Sequence, residues 1–321
     1  MDQFLICHRG ALGDFILTWP VLYTLKKSLP DLRFIGAGRT EYMRLAVRLG
    51  LLDSCCSAES SEMVAFFSGQ SIPSMLRSST DDITSTGDIQ GAILWLAEGQ
   101  AVADLLRKSG ASLAVALISP FPQKRMHVGL YHWQAVRSWF PSHFPLEISD
   151  PDGHDHQSPD LRSFCLFPDV RRGEYALIHP GSGSPAKNYQ LRFYRDLADD
   201  LRHRGYPEVR FVLGPVEAED GHMVRYLAEG TPGVKIEVPE DVEALARLQA
   251  GASLYIGNDS GASHLAGVLG TATIALYKIT DPEVWGVMGR RVKNIRAGNE
   301  DSALRQIREY LGKKEKQQEI N

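Results

Sequence analysis

The sequence predicts an α/β protein built from two doubly wound units, each a parallel sheet with helices on both faces. Three observations predict it. At 321 residues the chain suits two domains of about 150 residues each. Short apolar runs alternate with segments of helical spacing along most of its length. That alternation stops at a turn-rich, charged stretch, Asp150-Pro-Asp-Gly-His-Asp-His-Gln-Ser-Pro159, and then restarts. The boundary therefore falls there, giving domains 1–160 and 161–300, followed by a terminal helix and charged tail at 301–321.

The elements follow in order. Phe4 to His8 reads as the first strand, Gly10-Ala-Leu-Gly-Asp14 as the turn that closes it, and Phe15 to Leu29 as one helix stopped by Pro30. Arg33 to Ala37 is the next strand and Glu41 to Leu49 the next helix. Ser54 to Gln90 is serine-rich without clear period and reads as loops and short elements. A strand at Ala92 to Leu96, a helix at Gln100 to Ser109 and a strand at Ser112 to Ile118 continue the pattern. In the second half the expected strands are Tyr175 to His179, Arg210 to Leu213, Val234 to Val238, Ser253 to Ile256 and Thr273 to Tyr277. Between them lie a loop at Pro180 to Asn188 and helices at Leu191 to His203, Glu217 to Glu229, Val242 to Ala250 and Gly261 to Gly270. Ser302 to Leu311 is a final helix, and Lys313 to Ile320 a charged tail expected to fray.

Composition narrows the function classes. The apolar share of 43% and charged share of 23% are those of an ordinary globular protein. A net charge of −4 argues against a nucleic-acid partner, which a strongly basic domain would advertise. Six basic residues do gather between Thr24 and Arg48 (Lys26, Lys27, Arg33, Arg39, Arg44, Arg48) against two acidic ones. They read either as a solvated helix face or as a rim that receives an anionic acceptor or a membrane surface. Cys7, Cys55, Cys56 and Cys165 have neither metal-knuckle spacing nor the density of a disulfide framework, which points to a reducing compartment. With no secretory signal and no run near ~20 apolar residues, the expectation is a cytoplasmic protein whose membrane contact, if any, is peripheral.

Ligands of open α/β sheets lie beyond the carboxyl ends of strands, where helix N-termini present unpaired N–H groups. Three glycine-bearing turns occupy such places. Gly10 to Asp14 lacks the G-x-G-x-x-G spacing of a dinucleotide site. Asp14, near a helix start, is either a capping carboxylate or a general base. His179-Pro-Gly-Ser-Gly-Ser-Pro-Ala-Lys187 is a small-residue loop ending in a lysine. Its amides and Ser182 can approach a phosphate closely while Lys187 supplies a mobile charge; the plain alternative is a flexible loop with a solvated lysine. Gly257-Asn-Asp-Ser-Gly-Ala-Ser-His264 runs from strand into helix, so Ser260 and the amides at Gly261 and Ala262 form an anion seat. Asp259 would orient Ser260 or that loop, and His264, one turn in, reaches a phosphate or caps its own turn.

Together these segments resemble glycosyltransferase family 9, the ADP-heptose:lipopolysaccharide heptosyltransferases. FLICHRGALGDFILTWPVLYTL is similar to that family's opening strand, glycine-Asp turn and proline-bearing helix, IHPGSGSPAKNYQLRFYRDLADDL to its phosphate loop, and GNDSGASHLAGVLGTATIALYKITDPEVW to its D-[ST]-G-x-x-H-[LIV]-A nucleotide signature. The resemblance implies a GT-B architecture, with two Rossmann-like domains facing across a cleft, acceptor on the first and donor on the second. It also implies inverting transfer with no metal and no cofactor, an ADP-sugar being co-substrate. Position by position, Asp14 matches the catalytic carboxylate and Lys187 the phosphate-contacting lysine. Ser260, Gly261 and His264 match diphosphate contacts, with Asp259 beside them, and Glu217 lies where an acidic ribose contact is placed. The implied partners are a nucleotide sugar, ADP-heptose first, and an anionic glycan or lipid-linked acceptor. His8 stands where an arginine is common, Asn188-Tyr189 replaces an Arg-Trp pair, and Thr271-Ala272 and Gly286-Val287 lack frequent prolines. These departures leave the core chemistry in place but not the identity of sugar and acceptor. A GT-B sugar-nucleotide epimerase and a non-catalytic sugar-nucleotide sensor share the scaffold, and a nicotinamide oxidoreductase would need the missing dinucleotide fingerprint.

Overall fold

The computed structural model describes residues 2–74, 89–109, 113–140, 162–167, 173–229 and 233–320. The turn-rich segment Asp150 to Pro159 lies outside them. The chain divides into two compact units, Met1–Asp160 and Leu161–Asn321.

The first unit contains β1 (Gln3–His8), α1 (Leu12–Ile16), α2 (Trp19–Ser28), β2 (Arg33–Gly38), α3 (Thr40–Arg48), β3 (Ser54–Ser57), α4 (Ser61–Phe67), β4 (Ile89–Trp95), α5 (Gln100–Ser109), β5 (Ala114–Leu117) and α6 (Val128–Trp139). Its strands form a parallel sheet in the order β3-β2-β1-β4-β5. The direction of winding reverses between β1 and β4. Every position of the central strand β1 is buried, which is why it reads as an apolar run rather than an alternation. One face packs Leu5, Cys7, Ile35 and Leu94 against Met63 and Phe66 of α4 and Val102 and Leu106 of α5.

Two expectations change here. The helix read as continuous from Phe15 to Leu29 is two helices, because Pro20 has no N–H to give the Ile16 carbonyl and stands instead in the first turn of α2. Thr18 closes the break, its hydroxyl donating to the Phe15 carbonyl at 2.7 Å. The serine-rich stretch read as loops holds β3 and α4, with Ser60 capping α4 by accepting from the Met63 N–H. Residues 75–88 of that stretch lie outside the described ones.

The second unit contains β6 (Tyr175–His179), a 3₁₀ turn (Pro185–Lys187), α7 (Leu191–His203), β7 (Glu208–Val212), α8 (Pro215–Glu219), α9 (Gly221–Ala228), β8 (Val234–Glu237), α10 (Val242–Gly251), β9 (Leu254–Asn258), α11 (Gly261–Val268), β10 (Thr273–Tyr277), α12 (Pro282–Trp285), β11 (Val292–Arg296) and α13 (Glu300–Ile320). All six strands are parallel, in the order β11-β10-β9-β6-β7-β8, so winding reverses between β6 and β9. Phe193, Leu197 and Leu201 of α7 share a core with Ile178, Phe211, Ile256 and Ile274 of the sheet.

Three further expectations change. The helix read from Glu217 to Glu229 is α8 and α9, divided where the Asp220 carboxylate accepts from the His222 and Met223 N–H groups at 3.0 and 3.1 Å and starts a new helix. The tail is helical to Ile320 rather than frayed: its lysines, glutamates and glutamines favour helix, and Arg204 donates to both Glu315 oxygens at 2.8 and 2.9 Å. Helix α13 also buries Ala303, Ile307 and Leu311 in the second core. Finally, α12 and β11 were not read from the sequence at all.

Helix α11 is seated by backbone contact. A side chain on Gly267 would come within 2.4 Å of the Met288 carbonyl oxygen, and one on Gly289, whose φ is +149°, within 2.4 Å of the Gly267 carbonyl oxygen. Only glycine at both places permits that approach. Among the described residues no helix is long and apolar enough to cross a membrane.

Candidate functional site

The three turns singled out from the sequence follow β1, β6 and β9, the strands at which winding reverses in the two sheets. Such reversals leave a crevice at the carboxyl edge because the crossover helices depart to opposite faces.

In the second unit the crevice is walled by the β6 and β9 loops, and Asn258 ties them together. It is fully buried, and its amide donates to the Pro180 carbonyl at 2.8 Å and to Asn188 Oδ1 at 3.1 Å, while its own oxygen accepts from the Tyr194 hydroxyl at 3.0 Å. Ser182 braces the same loop, its hydroxyl lying 2.6 Å from Asn188 Oδ1 and 2.7 Å from the Ser184 carbonyl. Lys187, at the end of the 3₁₀ turn, reaches across to Asp259, Nζ to Oδ2 2.7 Å. Thr280, from the loop after β10, donates to the same Oδ2 at 2.6 Å. Asp259 is 6% exposed, so both donors compensate a carboxylate removed from water.

Ser260 is the N-cap of α11, with φ −156° and its hydroxyl accepting from the Ser263 N–H at 3.4 Å. Gly261 and Ala262 then supply the first amides of the helix, where no carbonyl lies one turn back. His264 follows in the first turn, buried, its backbone N–H on the Ser260 carbonyl at 3.2 Å. Glu217, in α8, lies over the phosphate loop: a Cβ on Gly181 would meet its Oε1 at 2.1 Å, and one on Gly214 its Oε2 at 2.7 Å. The six candidates Ser182, Lys187, Glu217, Asp259, Ser260 and Gly261 therefore gather at one sheet edge, with His264 beneath them. His179, at the end of β6, is buried and neutral, burial pulling its pKa down to about 4.

In the first unit Asp14 is the third residue of α1, and its Oδ2 accepts from the Ala11 N–H at 3.3 Å, the capping contact that the sequence allowed. Gly10 packs between two side chains: a Cβ there would lie 2.9 Å from His8 Cε1 and 3.2 Å from Asp14 Oδ2. His8 Nδ1 accepts from the Gly10 N–H at 3.3 Å, so the ring braces the turn that carries Asp14. Next along the edge, Trp95 Nε1 donates to His132 Nδ1 at 3.1 Å. Burial lowers the His8 pKa to about 4 and that of His132 to about 3, so both rings are neutral acceptors near pH 7. Three of the clustered basic residues make local contacts: Lys26 pairs with Asp53, the Lys27 ammonium lies 4.4 Å over the Tyr23 ring, and the Arg39 guanidinium 5.8 Å over that of Tyr42.

Sequence reasoning did not single out Asn258, Thr280 or Lys278. All three stand inside the quoted nucleotide-signature segment, but which loops they join depends on strand order. Lys278, after β10, donates to the Asn188 carbonyl at 2.8 Å and fixes the residue that follows Lys187.

Comparison with known proteins returns the family model "Glycosyltransferase family 9 (heptosyltransferase)" over residues 142–314. A curated relative, lipopolysaccharide heptosyltransferase 1 of Escherichia coli O18:K1:H7, is 32% identical over 133 residues, 41% of this chain, which spans only 40% of that relative's length. A putative glycosyltransferase of Haemophilus influenzae is 22% identical over 89% of this chain and 86% of its own. Among solved structures, E. coli heptosyltransferase WaaC with ADP superposes with a TM-score of 0.69 over 96% of this chain and 99% of that one, at 19% identity. That likeness establishes the GT-B fold of two Rossmann-like units.

Proposed function

We propose, from the premise that this chain belongs to glycosyltransferase family 9, that it moves a heptose from ADP-heptose onto an acceptor of lipopolysaccharide-core type, with inversion and without a metal. The observation that carries this reading is the pairing of Lys187 with Asp259 at 2.7 Å beside the N-terminus of α11, at the sheet edge where winding reverses. A cation on a flexible stem, a helix dipole and a loop of small residues meet there, a combination that suits a nucleoside diphosphate. Lys187, Ser260 and the Gly261 amide take the diphosphate, with His264 behind them, and Glu217 takes the ribose. The family's description as heptosyltransferases and the ADP that accompanies the superposed E. coli enzyme support the choice of donor.

In the reaction the Asp14 carboxylate accepts the proton of an acceptor hydroxyl. The oxygen's electron pair forms the new bond to the anomeric carbon, and the bond from that carbon to the diphosphate breaks, its electrons leaving with ADP. A positioned base contributes about 10²–10⁴-fold. Lys187 and the helix start meet the charge that develops on the leaving group. The acceptor is an anionic or lipid-linked glycan, held by the first unit.

The test is a mass-spectrometric transfer assay with ADP-heptose and truncated core oligosaccharides, alongside ADP titration. Asp14→Asn should lower turnover by about 10²–10⁴-fold with ADP affinity intact. Retained turnover removes Asp14 from the base role. An epimer formed from donor alone assigns the scaffold to epimerisation, and ADP binding without any product assigns it to sensing.

A further inference from the structure

We propose that Thr280 is a positioning residue that lets Lys187 exchange its counter-ion when the donor's diphosphate arrives, an inference that rests on the reading of this edge as a nucleotide site. In this structure Lys187 is neutralised by Asp259, whose Oδ2 takes both the Lys187 ammonium at 2.7 Å and the Thr280 hydroxyl at 2.6 Å. Side-chain exposure is 27% for Lys187 and 7% for Asp259. The lysine is thus the partner that can turn outward, and the carboxylate is the one that stays behind.

A diphosphate on the head of α11 competes with Asp259 for that lysine. Were Lys187 to leave with nothing in its place, a buried carboxylate would lose the cation that balances it, which is among the costliest states for a protein interior. Thr280 lowers that cost: its hydroxyl supplies no charge, but it keeps one hydrogen bond on Oδ2 after the ammonium has gone. It comes from the β10 loop, an element separate from both the phosphate loop and α11, so ligand binding does not displace it. It is also fixed in place: the next residue, Asp281, caps α12 by accepting from the Glu283 N–H at 3.1 Å. The neighbouring Tyr277 hydroxyl cannot substitute, because it donates to the Trp285 carbonyl at 3.0 Å and accepts from the Val287 N–H at 2.9 Å. Thr280 therefore shares the carboxylate with Lys187 in this structure and matters most after the lysine has moved.

Calorimetric titration with ADP, repeated with UDP, tests this on the full chain. Thr280→Val should weaken ADP binding about ten-fold, a hydrogen bond to a charged acceptor, while Thr280→Ser stays within about two-fold of the wild type. The melting midpoint of the free Val variant should fall by no more than about 4 °C, since Lys187 still covers Asp259 there. In a Lys187→Ala background, adding Thr280→Val should cost less than about two-fold further. Wild-type affinity in Thr280→Val overturns the proposal. So does a loss that Ser does not restore, which marks a packing role, and so does an undiminished loss in the Lys187→Ala background, which marks direct contact with ligand. A wild type that binds neither ADP nor UDP removes the nucleotide-site reading itself, and the exchange with it.

Discussion

At the scale of single residues, the phosphate loop offers a matched pair of glycines. A methyl on Gly181 would sit 2.1 Å from Glu217 Oε1, whereas one on Gly183 meets nothing within 4 Å. Gly181→Ala should therefore push Glu217 off the loop and weaken ADP binding about ten-fold, and Gly183→Ala should leave it unchanged; equal titration curves would detach Glu217 from the nucleotide. The histidines of the first unit supply a pH test. Both start from an ordinary value of 6.5, and burial lowers His8 to about 4 and His132 to about 3. As pH falls, the unfolded chain takes up their protons before the folded one. The stability present above pH 6.5 is thus lost from there down to about pH 4 for His8 and about pH 3 for His132, at about 1.4 kcal/mol per pH unit for each proton. His132→Gln keeps an acceptor for the Trp95 indole and should flatten the fall of melting midpoint across that window. An unchanged slope would mean that the ring is not buried as a neutral group.

At the scale of elements, the fully covered strands were the plainest to read, although the partly exposed edge strand β8 was read as well. The strands β1, β9 and β10 are covered on both faces and read as apolar runs, as does β6 apart from its first residue. Edge strands β3 and β11 are only partly buried and carry polar residues on both faces, so they gave no period to read. The break before α2 was announced by Pro20, whose missing N–H the apolar spacing masked, whereas the restart at Asp220 shows only in its local hydrogen bonds. The candidate site was legible as three separate turns. That Thr280 would share an oxygen of Asp259, 21 residues earlier, was not, because sequence does not state that β10 lies beside β9. Ser260 joins the two levels. Ser260→Ala removes the cap of α11 and should cost about 1 kcal/mol in denaturant unfolding, with ADP affinity falling in the same variant. Lost stability with intact affinity would leave the hydroxyl a cap alone.

At the scale of the whole molecule, each unit has its own sheet and its own core, so a ligand gripped by one should announce itself there. ADP at about a hundred times its dissociation constant stabilises what binds it by about 2.7 kcal/mol. Hydrogen exchange should then slow at residues 180–188, 214–217, 258–264 and 280, with little change along β1, β2 and β4; slowing confined to the first sheet would move the donor site. One packing feature bears on how such a site can change over evolutionary time. With Gly267 and Gly289 in backbone contact, the far end of α11 is moored, and a moored helix cannot swing its mouth open for a bulkier guest. Adaptation to a new sugar must then be written in the flanking loops, where substitutions are cheap, while the helix itself persists as a fixed anvil beneath them.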